Sequence, residues 1–457
     1  MSDTDDSPLF EEVQDEPEKK EEAADSPEAD SEKKEEPKKE DEPASIPVSA
    51  SPSSGESDNK AKKEEEDDEE TDSFDISDIK IKVSDPEKVG DGMSAFMVYR
   101  VSTTTSLPSF KSPESVVKRR FSDFLGLHVR LAEKHLPYGR IVPPAPEKSV
   151  VGMTKVKMSK GEESAPDAFI DRRKAALERY LNRTARHPEL REDADFKEFL
   201  EAETLPKATQ TAALSKGGFS RLVKNVGEAV SKMTMKVTEN DQWFEEKHNQ
   251  IETLEQQLKK LHMACETMVT LKKDVVTNTT NFAKSASLLS SSEEHTGLSR
   301  ALSQLAELEE KMEQLHHDQS NIDFFLLCES LKEYLGLILA VKAIFHQRMK
   351  VYQNWQSAQA TLTKKREILV KLELAGKQEK IPAAQEEVKE WERKVEKGQE
   401  EFELISKTIQ KEHKRFEVSR VNDFKDLIIK YLESMMECQQ KMVKYWEEYL
   451  PEAKAIA

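Results

Sequence analysis

Seven consecutive residues, Lys118-Arg119-Arg120-Phe121-Ser122-Asp123-Phe124, gather guanidinium groups, an aromatic ring and a hydroxyl. A guanidinium fork matches phosphate oxygens with parallel hydrogen bonds, and an adjacent ring can stack under a sugar-like ring. The chemistry on offer is recognition of a phosphorylated ring rather than bond breaking. A basic strand end on a solvated edge would carry the same residue types, so the run needs company. It has it downstream, in Pro143-Pro144-Ala145-Pro146-Glu147-Lys148 and then Phe169-Ile170-Asp171-Arg172-Arg173-Lys174.

Catalytic signatures are missing. The chain has no Gly-x-Gly-x-x-Gly, no phosphate loop ending in Gly-Lys-Ser/Thr and no Gly-x-Ser-x-Gly. No enzyme activity and no cofactor are therefore expected. Cys265, Cys328 and Cys438 stand far apart with no CxxC pair, which argues against a disulfide framework or a zinc site. His316 and His317 are adjacent, and adjacent helical positions do not share a face, so no metal site is expected there.

Three further features suit a membrane surface. In the stretch after Lys148, the apolar residues Val150, Val151 and Met153 precede Lys155, Lys157 and Lys160; such a loop can insert shallowly beside anionic headgroups. An ordinary flexible loop has the same composition. Phe219, Leu222, Val223, Val226, Val230 and Met233 share one helical face bordered by Arg221, Lys224, Lys232 and Lys236. This reads as a surface-lying amphipathic helix, or as a helix that packs on the rest of the protein. Lys364, Lys365 and Arg366 form the strongest cationic cluster of the helical region, ahead of Lys272-Lys273 and the Lys411, Lys414, Arg415 group.

The elements that must position these groups are legible in outline. Residues 1–78 are a Glu, Asp, Lys, Ser and Pro tail with too little apolar surface to offset chain entropy, and are expected to be disordered. Within it, Pro8-Leu9-Phe10 could serve as a short docking motif. Residues 79–201 read as a small α+β domain. Ile79-Lys80-Ile81-Lys82-Val83 alternates with period two, Ala95–Val101 is a second strand and Val116–Phe121 a third. Helices follow around a proline loop. Residues 202–238 are a linker plus the amphipathic helix. Residues 239–457 form a further domain, helical throughout from about Asn240 to Tyr449, with apolar steps of three and four at Ile251, Leu254, Leu258, Leu261, Cys265 and Met268. Breaks near 290–294 and 375–382 leave three helices. The middle one, of ~80 residues, would reach ~120 Å at 1.5 Å per residue, which demands an elongated, dimerising bundle.

Charge is sorted along the chain. The net −19 comes from 89 acidic and 70 basic residues. Residues 1–70 hold about 28 of the acids and about 9 of the bases, so the tail carries the whole imbalance. The 80–201 domain is about +5 and the 239–457 bundle about −6. An anionic surface is therefore not excluded, but bundle binding to it requires basic residues gathered on one face. The acidic, polar start has no signal-peptide character. The most apolar run, Tyr334–Phe345, is interrupted by Lys342 and is too short for a span.

The order of the Arg-Arg-aromatic-Ser-Asp-Phe run, the Pro-Pro-x-Pro loop and the Arg-bearing helix resembles the phox-homology (PX) domain. The resemblance implies a fold of three strands plus helices that binds phosphoinositides, chiefly phosphatidylinositol 3-phosphate. It implies that Arg120 binds the 3-phosphate, Phe121 stacks on the inositol ring and Ser122 adds a phosphate contact. Lys148 would take the 1-phosphate and Arg173 the ring hydroxyls. The helical region resembles the BAR domain of sorting nexins, in Trp243-Phe244-Glu245-Glu246-Lys247, Leu298–Glu307, Asp323-Phe324-Phe325-Leu326-Leu327 and Tyr445–Ile456. Its Lys364, Lys365 and Arg366 would belong to a basic membrane-facing surface.

A PX–BAR sorting nexin is thus expected, peripheral on the cytosolic face of early endosomes and tubules. It would sense or induce curvature, act with retromer in endosome-to-Golgi cargo sorting, and dimerise with itself or with another PX–BAR sorting nexin. Phosphatidylinositol 3,5-bisphosphate is a second lipid candidate, and no nucleic-acid partner is expected. The rival reading is a coiled-coil scaffold whose small domain binds peptides rather than lipid.

Overall fold

The computed structural model describes residues 78–90, 95–146, 167–205 and 241–456. The expected tail, Lys148, the Val150, Val151 and Met153 loop, and the amphipathic segment with Phe219, Leu222, Val223, Val226 and Val230 lie outside the described residues. Residues 72–457 belong to one compact unit.

The small domain opens with three antiparallel strands in the order β1-β2-β3: β1 Ile79–Val89, β2 Phe96–Thr105 and β3 Glu114–Arg120. Alternation sets the faces. Ile79, Ile81 and Val83 point inward from β1, Met97, Tyr99 and Val101 from β2, and Val117 and Arg119 from β3. The β1–β2 ladder runs well past the sequence-legible strand: it shifts register between Ser84 and Glu87 and continues to Val89 opposite Phe96. Asp85 takes φ +44° there, the local geometry of a bulge.

Four helices cover the sheet: α1 Phe121–His135, α2 Asp167–Arg186, α3 Pro188–Arg191 and α4 Ala194–Glu201. Their Phe124, Leu127, Leu131, Leu177, Leu181, Phe196 and Phe199 fill one apolar core with the strands. The free edge of β1 is closed by α2. The Ile81 and Val83 N–H groups donate to Asn182 Oδ1 (3.1 Å) and Glu178 Oε2 (2.8 Å). These contacts remove part of the open edge that an unpaired strand would present.

The rest is a long helical hairpin laid against a third helix. Helix α5 spans Gln242–Ser292, α6 Thr296–Asp323, α7 Glu329–Leu374 and α8 Ile381–Lys454. A π turn, Phe324–Cys328, joins α6 to α7 without a break. The breaks match those expected from sequence, and α6 through α7 form the long middle helix. Ile251, Leu258 and Cys265, three of the apolar positions that step by three and four, are buried within this one chain, together with Ile405 and Ile409 of α8. A half-buried ion pair, from partly exposed Lys272 to fully buried Asp323, sits beside the π turn, where Gln319 also donates to Asp323 (2.7 Å). No described helix is long and apolar enough to cross a membrane.

Candidate functional site

The strand-to-helix junction delivers Arg120, Phe121 and Ser122 together. Arg120 is the extended residue just before α1, and Asp123, three residues on, organises it. Asp123 Oδ2 accepts the Arg120 backbone N–H (3.0 Å) and Oδ1 accepts Nε (2.9 Å). The inner edge of the guanidinium is thereby fixed. Its two terminal amino groups have no acceptor among the described residues, which is the arrangement a bidentate phosphate contact requires. Ser122 is half-buried in the first helical turn, where exposed backbone N–H groups favour anions.

Helix α2 supplies the facing cation. Arg173 is 6 % exposed. Its guanidinium carbon lies 4.2 Å from the Phe121 ring centroid and 4.5 Å from that of Phe169. Burial pushes Arg173 below the usual arginine range, and the Tyr99 hydroxyl beside it partly offsets this. Arginine remains charged under such shifts. Phe121 itself is 8 % exposed and belongs to the domain core, with Arg173 over its ring, so the open stacking platform expected from sequence is largely covered.

Arg119 takes another role. Sequence reasoning grouped it with Arg120, but it points inward and is 1 % exposed. Its Nε donates to the Phe199 carbonyl (2.9 Å), Nη1 to the Lys118 carbonyl (2.9 Å) and Nη2 to the Ala202 carbonyl. It caps the C-terminal end of α4, whose last carbonyls lack intrahelical donors. Strand alternation was the available signal: an outward Arg120 makes Arg119 inward.

Sequence reasoning also missed the surface that joins the small domain to the bundle. Arg172, Arg179, Arg183 and Arg186 recur along one face of α2. Arg172 lies 4.0 Å from the Phe324 centroid. Arg179 pairs with Glu329 (3.2 Å) and Glu333 (3.2 Å), and Arg183 and Arg186 pair with Asp423 (2.8 and 3.2 Å). His187 reaches Glu412 at 3.0 Å. Burial would raise the Glu412 carboxyl, but His187, Arg415 and the Ile141 N–H outweigh it and hold Glu412 below the usual glutamate range.

The Lys364–Arg366 cluster lies near the end of α7. Lys365 pairs with Glu387 (2.6 Å) and Arg366 with Glu392 (2.8 Å), both across to α8, while Lys364 is exposed. Exposed pairs of this kind contribute little and exchange readily. A second surface is apolar. Val275, Phe282 and Leu289 on α5 step by seven, as do Ile429, Met436, Val443 and Leu450 on α8, and all are exposed in the single chain. That spacing is the seam of helices that pack on a partner.

Comparison with known proteins agrees with this architecture. A PX domain family matches residues 107–203, and a family described as Vps5 C terminal like matches residues 219–452. Sorting nexin-2 of Bos taurus is 53% identical over 383 residues, covering 84% of this chain and 74% of its own. Sorting nexin-1 of Homo sapiens is 49% identical over 410 residues, covering 90% and 78%. Among solved structures, the cryo-EM structure of the SNX-BAR Mvp1 tetramer aligns over 81% of this chain and 99% of its own. The TM-score is 0.53 at 19% identity, a likeness of fold.

Proposed function

Because the chain belongs to the sorting nexins, with a PX domain followed by a Vps5-like helical region, we propose that it reads phosphatidylinositol 3-phosphate on early endosomes and couples that reading to membrane curvature. PX–BAR sorting nexins are non-enzymatic membrane binders that act in trafficking, bind phosphoinositides and form dimers or oligomers.

The observation that carries the lipid reading is the Arg120 fork, held at its inner edge by Asp123, with no acceptor on its outer edge among the described residues. Arg120 takes the 3-phosphate, with Ser122 adding a contact from the first turn of α1. Arg173, pinned by Phe121 and Phe169, faces the ring hydroxyls. Phe121, 8 % exposed, acts chiefly by holding Arg173 in place and leaves the inositol only a small part of its ring. Lys148 and the apolar Val150, Val151 and Met153 follow the proline loop, where they bind the 1-phosphate and enter the headgroup layer.

A dimer built on the α5 and α8 seam presents two such sites together with two copies of Lys364, Lys365 and Arg366. Each contact can then be weak while the assembly binds well. The segment bearing Phe219, Leu222, Val223, Val226 and Val230 acts as the wedge. Retromer-linked cargo sorting from endosome to Golgi is the role in which such a protein would serve. Homodimers and heterodimers with other PX–BAR sorting nexins are both compatible with an apolar seam.

Co-sedimentation with vesicles of defined diameter tests the proposal. Binding should rise when phosphatidylinositol 3-phosphate is added to a phosphatidylcholine and phosphatidylserine mixture, and should vary with vesicle diameter. Binding that ignores the phosphoinositide would contradict the lipid reading and favour the peptide-binding scaffold.

A further inference from the structure

The proline-rich segment that leaves α1 is held by the bundle as much as by its own domain. Gly139 has φ +80°, and a Cβ there would lie 2.7 Å from Ile409 Cγ1 and 2.9 Å from Ile405 Cγ1. The Ile141 N–H donates to Glu412 Oε2 at 3.0 Å, and the Ile141 side chain belongs to the apolar cluster of the bundle. Glu412, 3 % exposed, also binds His187 and Arg415. Two residues further on, Pro143 accepts a bond from the His128 ring of α1. Pro144 then rests on Gly336 of α7, where a Cβ would lie 2.8 Å from the Pro144 Cγ.

The other flank of the site is held in the same way. Arg172 packs on Phe324, the first residue of the π turn, and the next residue, Arg173, packs on Phe121. π turns inside long helices are frequent where function is coupled to the helix. Segments without regular structure need an outside support to hold a binding geometry. Here the support is α7 and α8.

We infer that the bundle sets the position of the proline segment against the Arg120–Phe121–Arg173 site. Gly336 and Glu412 are positioning residues for headgroup binding although neither touches the lipid. This rests on the headgroup reading proposed above. It makes headgroup affinity a property of the joined chain, so a change in the bundle is felt at the lipid site.

The test uses the full chain and a soluble short-chain phosphatidylinositol 3-phosphate, with calorimetric titration. Gly336→Ala improves local helix propensity but pushes on the Pro144 ring. It should weaken binding about fivefold to thirtyfold, within the range of contiguous coupling contacts, with melting temperature and oligomeric state retained. Adding Pro144→Ala removes the opposing Cγ and should restore most of the affinity. Glu412→Gln keeps an acceptor for Ile141 but loses the charge facing His187 and Arg415, and should also weaken binding. Unchanged affinity in Gly336→Ala overturns the inference. So does a loss that Pro144→Ala fails to rescue and that tracks a lower melting temperature. No binding by the unaltered chain overturns the headgroup reading itself, and this inference with it.

Discussion

Arg183 donates to Asp423 across 2.8 Å, tying the second helix of the small domain to the last helix of the bundle. The pair is less than a quarter exposed on either side, and Asp423 also accepts from Tyr334 (2.5 Å) and Arg186. Burial would raise the Asp423 carboxyl, yet Arg183 and Tyr334 hold it below the ordinary aspartate range. Asp423→Ala therefore leaves Arg183 with Glu333 and the Tyr334 ring and should cost about 2 kcal/mol. Faster amide exchange in Asp167–Arg186 would register the loosened junction; unchanged exchange would contradict it.

His128 predicts a pH effect of defined sign. Burial lowers its pKa from 6.5 to about 4, the bond to Pro143 only partly opposing this. Between those values the unfolded chain takes up a proton that the folded chain refuses. Stability is thus full above pH 6.5 and falls as the pH drops toward 4, by up to about 3 kcal/mol. Melting curves of the native chain should show this loss, and His128→Gln should flatten that part of the profile. An equally steep profile in the variant would contradict the assignment.

The exposed seam predicts association. Phe282 is 51 % exposed and Ile429 43 %, and charges placed there should block a partner helix without entering the core of the chain. Phe282→Glu with Ile429→Glu should shift sedimentation from dimer to monomer while helical content stays the same. A dimer persisting at micromolar concentration would move the interface elsewhere.

Arg119 and Arg120 are neighbours with opposite expectations. Arg119→Ala leaves three carbonyls at and just beyond the end of α4, those of Phe199, Ala202 and Glu203, without their donor and should destabilise the small domain by about 3 kcal/mol. Arg120→Ala removes an outward fork and should leave the melting temperature nearly unchanged. Similar melting behaviour in the two variants would contradict the division of roles.

Periodicity carried the parts of this fold that depend on local pattern. The alternation at Ile79–Val83 and the breaks near 290 and 375 mark elements that the structure contains. The extension of β1 to Val89 was hidden because Asp85 and Pro86 look like a turn, and only pairing with β2 keeps the strand going. The site was half legible. Arg120 and Arg173 stand out by type, whereas the dependence of Ile141 and Pro144 on Glu412 and Gly336 joins residues nearly 200 or more positions apart. No window of sequence contains both halves of such a contact. The arginine stripe of α2 was visible in spacing, but its acidic partners lie on two distant helices.

The central claim is that Arg120 reads a phosphorylated inositol lipid. The most direct measurement is co-sedimentation of Arg120→Ala and the native chain with vesicles that contain or lack phosphatidylinositol 3-phosphate, at equal total charge. The account predicts that the native chain prefers the phosphoinositide vesicles and that Arg120→Ala binds both kinds alike, with its fold and dimer intact. A variant that keeps the native preference would contradict it.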